Sequence, residues 1–212
     1  MPSTSDSLSA TCEPEHSTPL EGFADHARHL ANLALSCASA CHEDVDRAGH
    51  IVAKALESGH KVLACGNGGS AADAQHFAAE LVGHYIVGRP PFAAVSLTTD
   101  TSILTAVGND FGYEEIFARQ VEALGQPGDV LIVMSTSGRS PNIIRAAEVA
   151  LARNLRLIAL TGMTAHEPIS KAEAWCRVPS SITALVQEMH TVVLHEICAL
   201  TEEIIGFARV DS

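Results

Sequence analysis

The chain has 212 residues, enough for one domain of good size that buries most of its surface without staples. Hydrophobic residues make up 47% and charged residues 18%, which excludes a chain disordered throughout. Asp and Glu outnumber Lys and Arg by 25 to 13, and a net charge of −12 repels polyanions, so neither nucleic acid nor a membrane is an expected partner.

A small phosphorylated ligand is still allowed, because backbone amides bind phosphate locally. No apolar run approaches the ~18 residues that cross a bilayer. The chain does not open on a basic segment followed by an apolar one, so a cytoplasmic protein is expected. The six cysteines (Cys12, Cys37, Cys41, Cys65, Cys176 and Cys198) form no C-x-x-C pair and read as reduced, packed thiols.

Residues 1–19 are rich in Ser, Thr and Pro and lack Lys and Arg, which predicts a mobile arm. One domain is expected over 20–212, opening with helices over 20–58. Phe23, Ala27, Leu30 and Ala34 recur at helical spacing, as do Val45, Ala48, Val52 and Leu56, with a break near His42 to Asp44 and a stop at Gly59. His26, His29, His42 and His50 have no partners at metal-ligand spacing and read as solvated or packed.

Beyond that, short apolar runs at 61–65, 92–97, 130–134, 155–160 and 175–178 alternate with helical patterns at 71–85, 101–107, 114–124, 142–152 and 182–205. Strands that alternate with helices and lack polar–apolar alternation predict an α/β fold: a doubly wound three-layer sandwich around a five-stranded parallel sheet. Ligands of such sheets bind beyond the carboxyl ends of the strands.

Two of those loops suit an anion. Gly66-Asn67-Gly68-Gly69-Ser70 leads from the first strand into a helix and matches the dinucleotide pattern G-x-G-x-x-A at Gly66, Gly68 and Ala71. The acid that should follow about 20 residues later is missing, and Asp100 lies too far on. Ser135-Thr136-Ser137-Gly138-Arg139-Ser140-Pro141 gathers four hydroxyls at a helix start, with Ser140 at the N-cap and Pro141 at the first helical position, a set suited to a phosphate monoester.

Proton chemistry has candidates on two helices. His76 and Glu80 are one turn apart and face the same way, with Asp73 and His84 on the same stripe. The last helix carries Gln187, Glu188, His190 and His195 among apolar residues. Spacing alone does not choose between Gln187 and Glu188 as the partner of His195.

Together, the run from Gly66 to Glu80, the segment Gly108 to Tyr113, the loop Ser135 to Asn142 and the set Gln187-Glu188-x-His190 with His195 resemble the sugar isomerase (SIS) domains of the phosphoheptose isomerase family. The resemblance covers about residues 20–207. It implies interconversion of sedoheptulose 7-phosphate and D-glycero-D-manno-heptose 7-phosphate in a homotetramer with active sites between subunits. It also implies one zinc ion per subunit on His76, Glu80, Gln187 and His195, with Glu80 and His195 as the acid/base pair. The implied substrate contacts are Asn67, Gly68, Gly69, Ser70, Glu80, Asn109, Asp110, Ser135, Thr136, Ser137, Ser140 and Gln187. The arm is longer than is usual in the family, and the segment Gly162 to Pro168 lacks the Gly-Gly often found there.

Two other classes share part of this pattern. A non-catalytic SIS relative, such as a phosphosugar sensor or replication-associated scaffold, keeps the glycine loop but tends to lose the late histidine. A nucleotide-dependent oxidoreductase would need the missing acid.

Overall fold

The computed structural model describes residues 22–207. The arm expected over 1–19, the outermost positions of the domain expected over 20–212, and Cys12 lie outside the described residues. Among the described residues five strands form, β1 (Val62–Gly66), β2 (Ala94–Ser96), β3 (Val130–Ser135), β4 (Arg156–Thr161) and β5 (Ala174–Arg177). They pair in the order β2-β1-β3-β4-β5, and every pair is parallel. Seven α-helices flank them: α1 (Phe23–Ala40), α2 (His42–Glu57), α3 (Gly69–Val82), α4 (Thr101–Phe111), α5 (Ala118–Leu124), α6 (Pro141–Ala152) and α7 (Thr183–Ile204). No helix among the described residues is long and apolar enough to cross a membrane.

The central strand β3 is buried along its whole length. Its Ile132 and Met134 pack on the side of α2, α3 and α7, while Leu131 and Val133 pack on the side of α5 and α6. With a helical layer on each face no side of the strand is wet, so its sequence is apolar without alternation. The α/β sandwich and its five-stranded parallel sheet are those expected from the sequence. The five described cysteines are unpaired and buried.

The differences lie at the edges. Helix α3 starts at Gly69, two residues before its apolar pattern, because the glycine loop itself supplies the first turn. The helical pattern expected over 114–124 divides into a 3-10 turn (Tyr113–Glu115) and the short α5. Along α7, Val186, Val193, Leu194 and Ile197 are buried within this one chain, while Val192 is exposed, at 53%. Helix α1 does part of this covering, with Leu33 and Cys37 against Leu185, Val186 and Met189.

Helices α2 and α7 approach closely at Gly49, where an added methyl would lie 2.7 Å from Leu200 Cβ. Two effects oppose each other in Gly49→Ala. Helix propensity gains up to about 1 kcal/mol, and overpacking costs about 1–3 kcal/mol. Because the obstructing atom is next to the backbone, overpacking should win by about 1 kcal/mol. In urea titration the midpoint should fall at an unchanged slope; a raised midpoint would show that the two helices can part freely.

Candidate active site

The sheet order puts β1 and β3 side by side, with their outgoing connections turning in opposite directions. Such a switch point opens a crevice at the carboxyl ends of the strands. The glycine loop leaves β1 here and the hydroxyl loop leaves β3. Side-chain amides hold the loops together: Asn67 Nδ2 donates to Asn142 Oδ1 at 2.8 Å, and Asn142 Nδ2 donates back to Asn67 Oδ1 at 2.8 Å. The Tyr113 hydroxyl also donates to Asn67 Oδ1, at 3.1 Å. At the far side of the glycine loop, the Thr98 hydroxyl donates to the carbonyl of Ala71 and accepts from Gln75 Nε2, which ties the start of α3 to the end of β2.

In the hydroxyl loop, Ser135 Oγ and Ser140 Oγ are hydrogen-bonded at 3.2 Å, and the Gly138 N–H donates to Ser135 Oγ at 3.1 Å. Gly138 has φ +63°, and a Cβ there would strike the Thr164 carbonyl, so the turn needs glycine. Ser140 occupies the N-cap position and Pro141 follows, as expected, but the Ser140 hydroxyl makes no capping bond to the helix. It faces Ser135 instead. Ser137 is exposed and its Oγ accepts from the Arg139 N–H at 3.2 Å. Hydroxyls of Ser135, Ser137 and Ser140, half-buried Thr136 and the start of α6 therefore share one turn.

Helix α7 closes on α3. His195 Nε2 lies 2.7 Å from His76 Nε2, and His76 Nδ1 lies 3.7 Å from Glu80 Oε1. The ring of Tyr85 stacks on His195 with centroids 5.0 Å apart. The Gln187 amide lies so close over Gly69 that a Cβ at Gly69 would collide with it. Glu188 faces elsewhere and accepts from His26 Nε2 on α1 at 2.8 Å. The choice between Gln187 and Glu188 that spacing left open is thus a difference of direction: only Gln187 points at the glycine loop.

Between these contacts the Thr191 hydroxyl donates to Asp73 Oδ1 at 3.1 Å, while Asp73 Oδ2 is buried without a hydrogen-bond partner. Burial raises the pKa of Asp73, opposed only in part by Thr191 and by His76. His190 is fully buried, and burial lowers its pKa to about 4, opposed only in part by the backbone of Thr161.

Two imidazole nitrogens that converge on one point, beside a carboxylate one turn away, are a donor set that suits zinc. His76 and His195 meet this description directly. Glu80 stands at the Nδ1 edge of His76, and among the described residues no three His, Cys, Asp or Glu side chains are gathered into a cage. Asn109 and Asp110 are exposed at the end of α4, and Asn109 Nδ2 donates to Asp110 Oδ1 at 2.7 Å. They do not join the loops; Tyr113, just beyond them, does. Tyr113 and Asn142 were both inside motifs read from the sequence but were not singled out. A groove of about 470 Å3 runs along α1, α2 and α7, with Tyr85 and His195 in its lining, and no residue of the hydroxyl loop lines it. Asp100, the nearest acid to the one a dinucleotide site would need, accepts from the Ile103 N–H at 2.9 Å and caps α4.

Residues 25–162 match the SIS domain family. The chain is 47% identical over 182 residues to the phosphoheptose isomerase of Shewanella loihica, an alignment that covers 84% of this chain and 92% of that one. The structure is similar to phosphoheptose isomerase GmhA from Neisseria gonorrhoeae, with TM-score 0.80 and 41% identity over 85% of this chain and 96% of that one. A phosphoheptose isomerase from Francisella tularensis gives TM-score 0.81 and 37% identity, with the same coverage of 85% and 96%.

The neutral His190 gives the fold an acid limit. In the unfolded chain a histidine takes up its proton near pH 6.5; in the fold His190 does so only near pH 4. The unfolded state binds more protons between those values, so stability should fall as pH drops through that window, by about 3 kcal/mol in all. Replacing His190 by Phe should remove that part of the slope in urea titrations across pH 7 to 4. Equal slopes for both proteins would show that His190 takes up its proton freely inside the fold.

Proposed function

The chain belongs to the phosphoheptose isomerases of the SIS domain family, and we propose from this that it converts sedoheptulose 7-phosphate to D-glycero-D-manno-heptose 7-phosphate for heptose biosynthesis. The enzyme is an aldose–ketose isomerase. The observation that carries the chemistry is the meeting of α3 and α7, which sets His195 2.7 Å from His76 with Glu80 one turn further along α3.

An aldose–ketose isomerase moves a proton between C1 and C2 and shifts the carbonyl, through an enediolate. In our reading Glu80 takes the proton from C1 of the ketose and returns it to C2. His195 donates a proton to the C2 oxygen as the enediolate forms and receives one from the C1 oxygen as it collapses. Ser135, Thr136, Ser137 and Ser140 hold the phosphate at the start of α6, where the helix dipole favours an anion. Asn67, Gly68, Gly69, Ser70 and Gln187 hold the sugar chain from the other side of the crevice, and Asn109 and Asp110 approach it from α4.

One zinc ion per subunit would be held by His76, Glu80, Gln187 and His195. When bound it would supply Lewis-acid polarisation of the substrate carbonyl. Residues 20–212 would act as one domain in the cytoplasm, and four copies would assemble. The exposed apolar side chains Phe23 (88%) and Leu35 (73%) on α1 and Val192 on α7 support such an assembly.

Glu80→Gln is nearly isosteric, so its melting temperature should stay close to wild type while turnover of sedoheptulose 7-phosphate falls by about 10³-fold or more. Turnover near wild type in a folded variant would remove Glu80 from the chemistry. Ser137→Ala should raise KM by about tenfold with little change in kcat, since a remote phosphate is held alike in ground and transition states. A fall in kcat at constant KM would contradict the assignment of the loop.

A further inference from the structure

Glu202, in the last turns of α7, is buried and almost out of solvent, as is its partner Arg89. The carboxylate accepts from the backbone N–H groups of Tyr85, Ile86 and Val87 at 2.9, 3.2 and 3.3 Å, and from Arg89 Nε at 2.8 Å. Burial pushes the Glu202 pKa up, but these donors outweigh it and hold the carboxyl below its ordinary value. The guanidinium has a second task. Arg89 donates to the carbonyls of Glu80 and Leu81, each at 2.9 Å, at the end of α3, where the Leu81 carbonyl also accepts from the Phe92 N–H. Its plane also lies 3.8 Å over the ring of Phe92.

A buried ion pair is costly to desolvate, and apolar residues of similar size often replace one without loss of stability. Stability alone therefore gives little reason for this arrangement. Its position does. At one end it fixes the backbone of Glu80, and at the other the backbone of Tyr85, whose ring is stacked on His195 with planes 27° apart. We infer that Arg89 and Glu202 are positioning residues for the isomerisation: the pair locks the segment from Tyr85 to Arg89 so that Tyr85 holds the His195 ring and the end of α3 holds Glu80. The inference rests on the roles given above to Glu80 and His195.

The test replaces the pair by apolar residues, Arg89→Met with Glu202→Leu. The protein contains two tyrosines, so 3-fluorotyrosine labelling gives two fluorine resonances, and Tyr85→Phe assigns them. In the wild type the Tyr85 resonance should be displaced from that of free fluorotyrosine. In the double variant it should move toward the free value while that of Tyr113 stays. In the assay kcat should fall by about tenfold or more at a KM within about threefold of wild type, because a small misplacement of reacting groups costs rate and leaves the phosphate grip unchanged.

Tyr85→Leu should reproduce much of that loss, Tyr85→Phe should not, and combining Tyr85→Leu with the double variant should add little. If the double variant fails to fold, the single changes decide: wild-type kcat in Tyr85→Leu overturns the inference. An unmoved Tyr85 resonance, or losses that add in full, also overturn it. Absence of turnover in the wild type would instead overturn the proposed reaction, and the fluorine spectra would still judge the positioning.

Discussion

The last helix is covered along most of its length, and each polar side chain that it turns inward must find a partner or leave a group unsatisfied. This requirement organises the molecule. Gln187 meets the glycine loop, Thr191 meets Asp73, His195 meets His76, and Glu202 meets Arg89 with three backbone amides. Three of these four contacts are made to α3 or to the loop that opens it. The apolar side chains between them, such as Val193, Leu194 and Ile197, pack against the sheet and α2 and fix the height of the helix. A cluster assembled in this way is held by its own hydrogen bonds and by the core together. His190 stands apart, as a fully buried polar ring with only the backbone of Thr161 beside it to offset its desolvation.

The two halves of the crevice have different physical characters. The β3 side offers hydroxyls, a positive-φ glycine turn and a helix start, features that suit an anion, with Arg139 in the same loop. The α3–α7 side offers titratable groups. The overall field of a chain of net charge −12 works against an anion, whereas dipoles at short range can still favour one locally. The nucleotide-oxidoreductase reading fails on a local fact: the nearest acid, Asp100, is occupied at the start of α4.

Much of this was legible from sequence because burial on both faces leaves strands as plain apolar runs, and glycine and hydroxyl loops stand out against them. The His76–Glu80 pair was legible because a helical turn fixes its geometry. Resemblance, not spacing, nominated Gln187; the direction of its side chain follows from how α7 rotates against α3, which periodicity does not encode. The cover of α7 is hidden from the sequence for the same reason, since part of it comes from α1, whose Leu33 and Cys37 carry no special signal. Arg89 and Glu202 lie 113 positions apart and belong to no motif, so their pairing exists only in the fold. Asn142 and its partner Asn67 lie 75 positions apart, so their contact too exists only in the fold.

The central claim is proton transfer between C1 and C2 by groups on α3 and α7. Incubating the wild-type protein with sedoheptulose 7-phosphate in deuterated water, followed by proton NMR, tests it most directly. The account predicts the anomeric C1 proton signals of cyclic D-glycero-D-manno-heptose 7-phosphate and loss of proton intensity at C1 of the ketose and C2 of the aldose, as the carried proton exchanges with solvent. Neither product nor exchange, with a folded protein supplied with zinc, would contradict it.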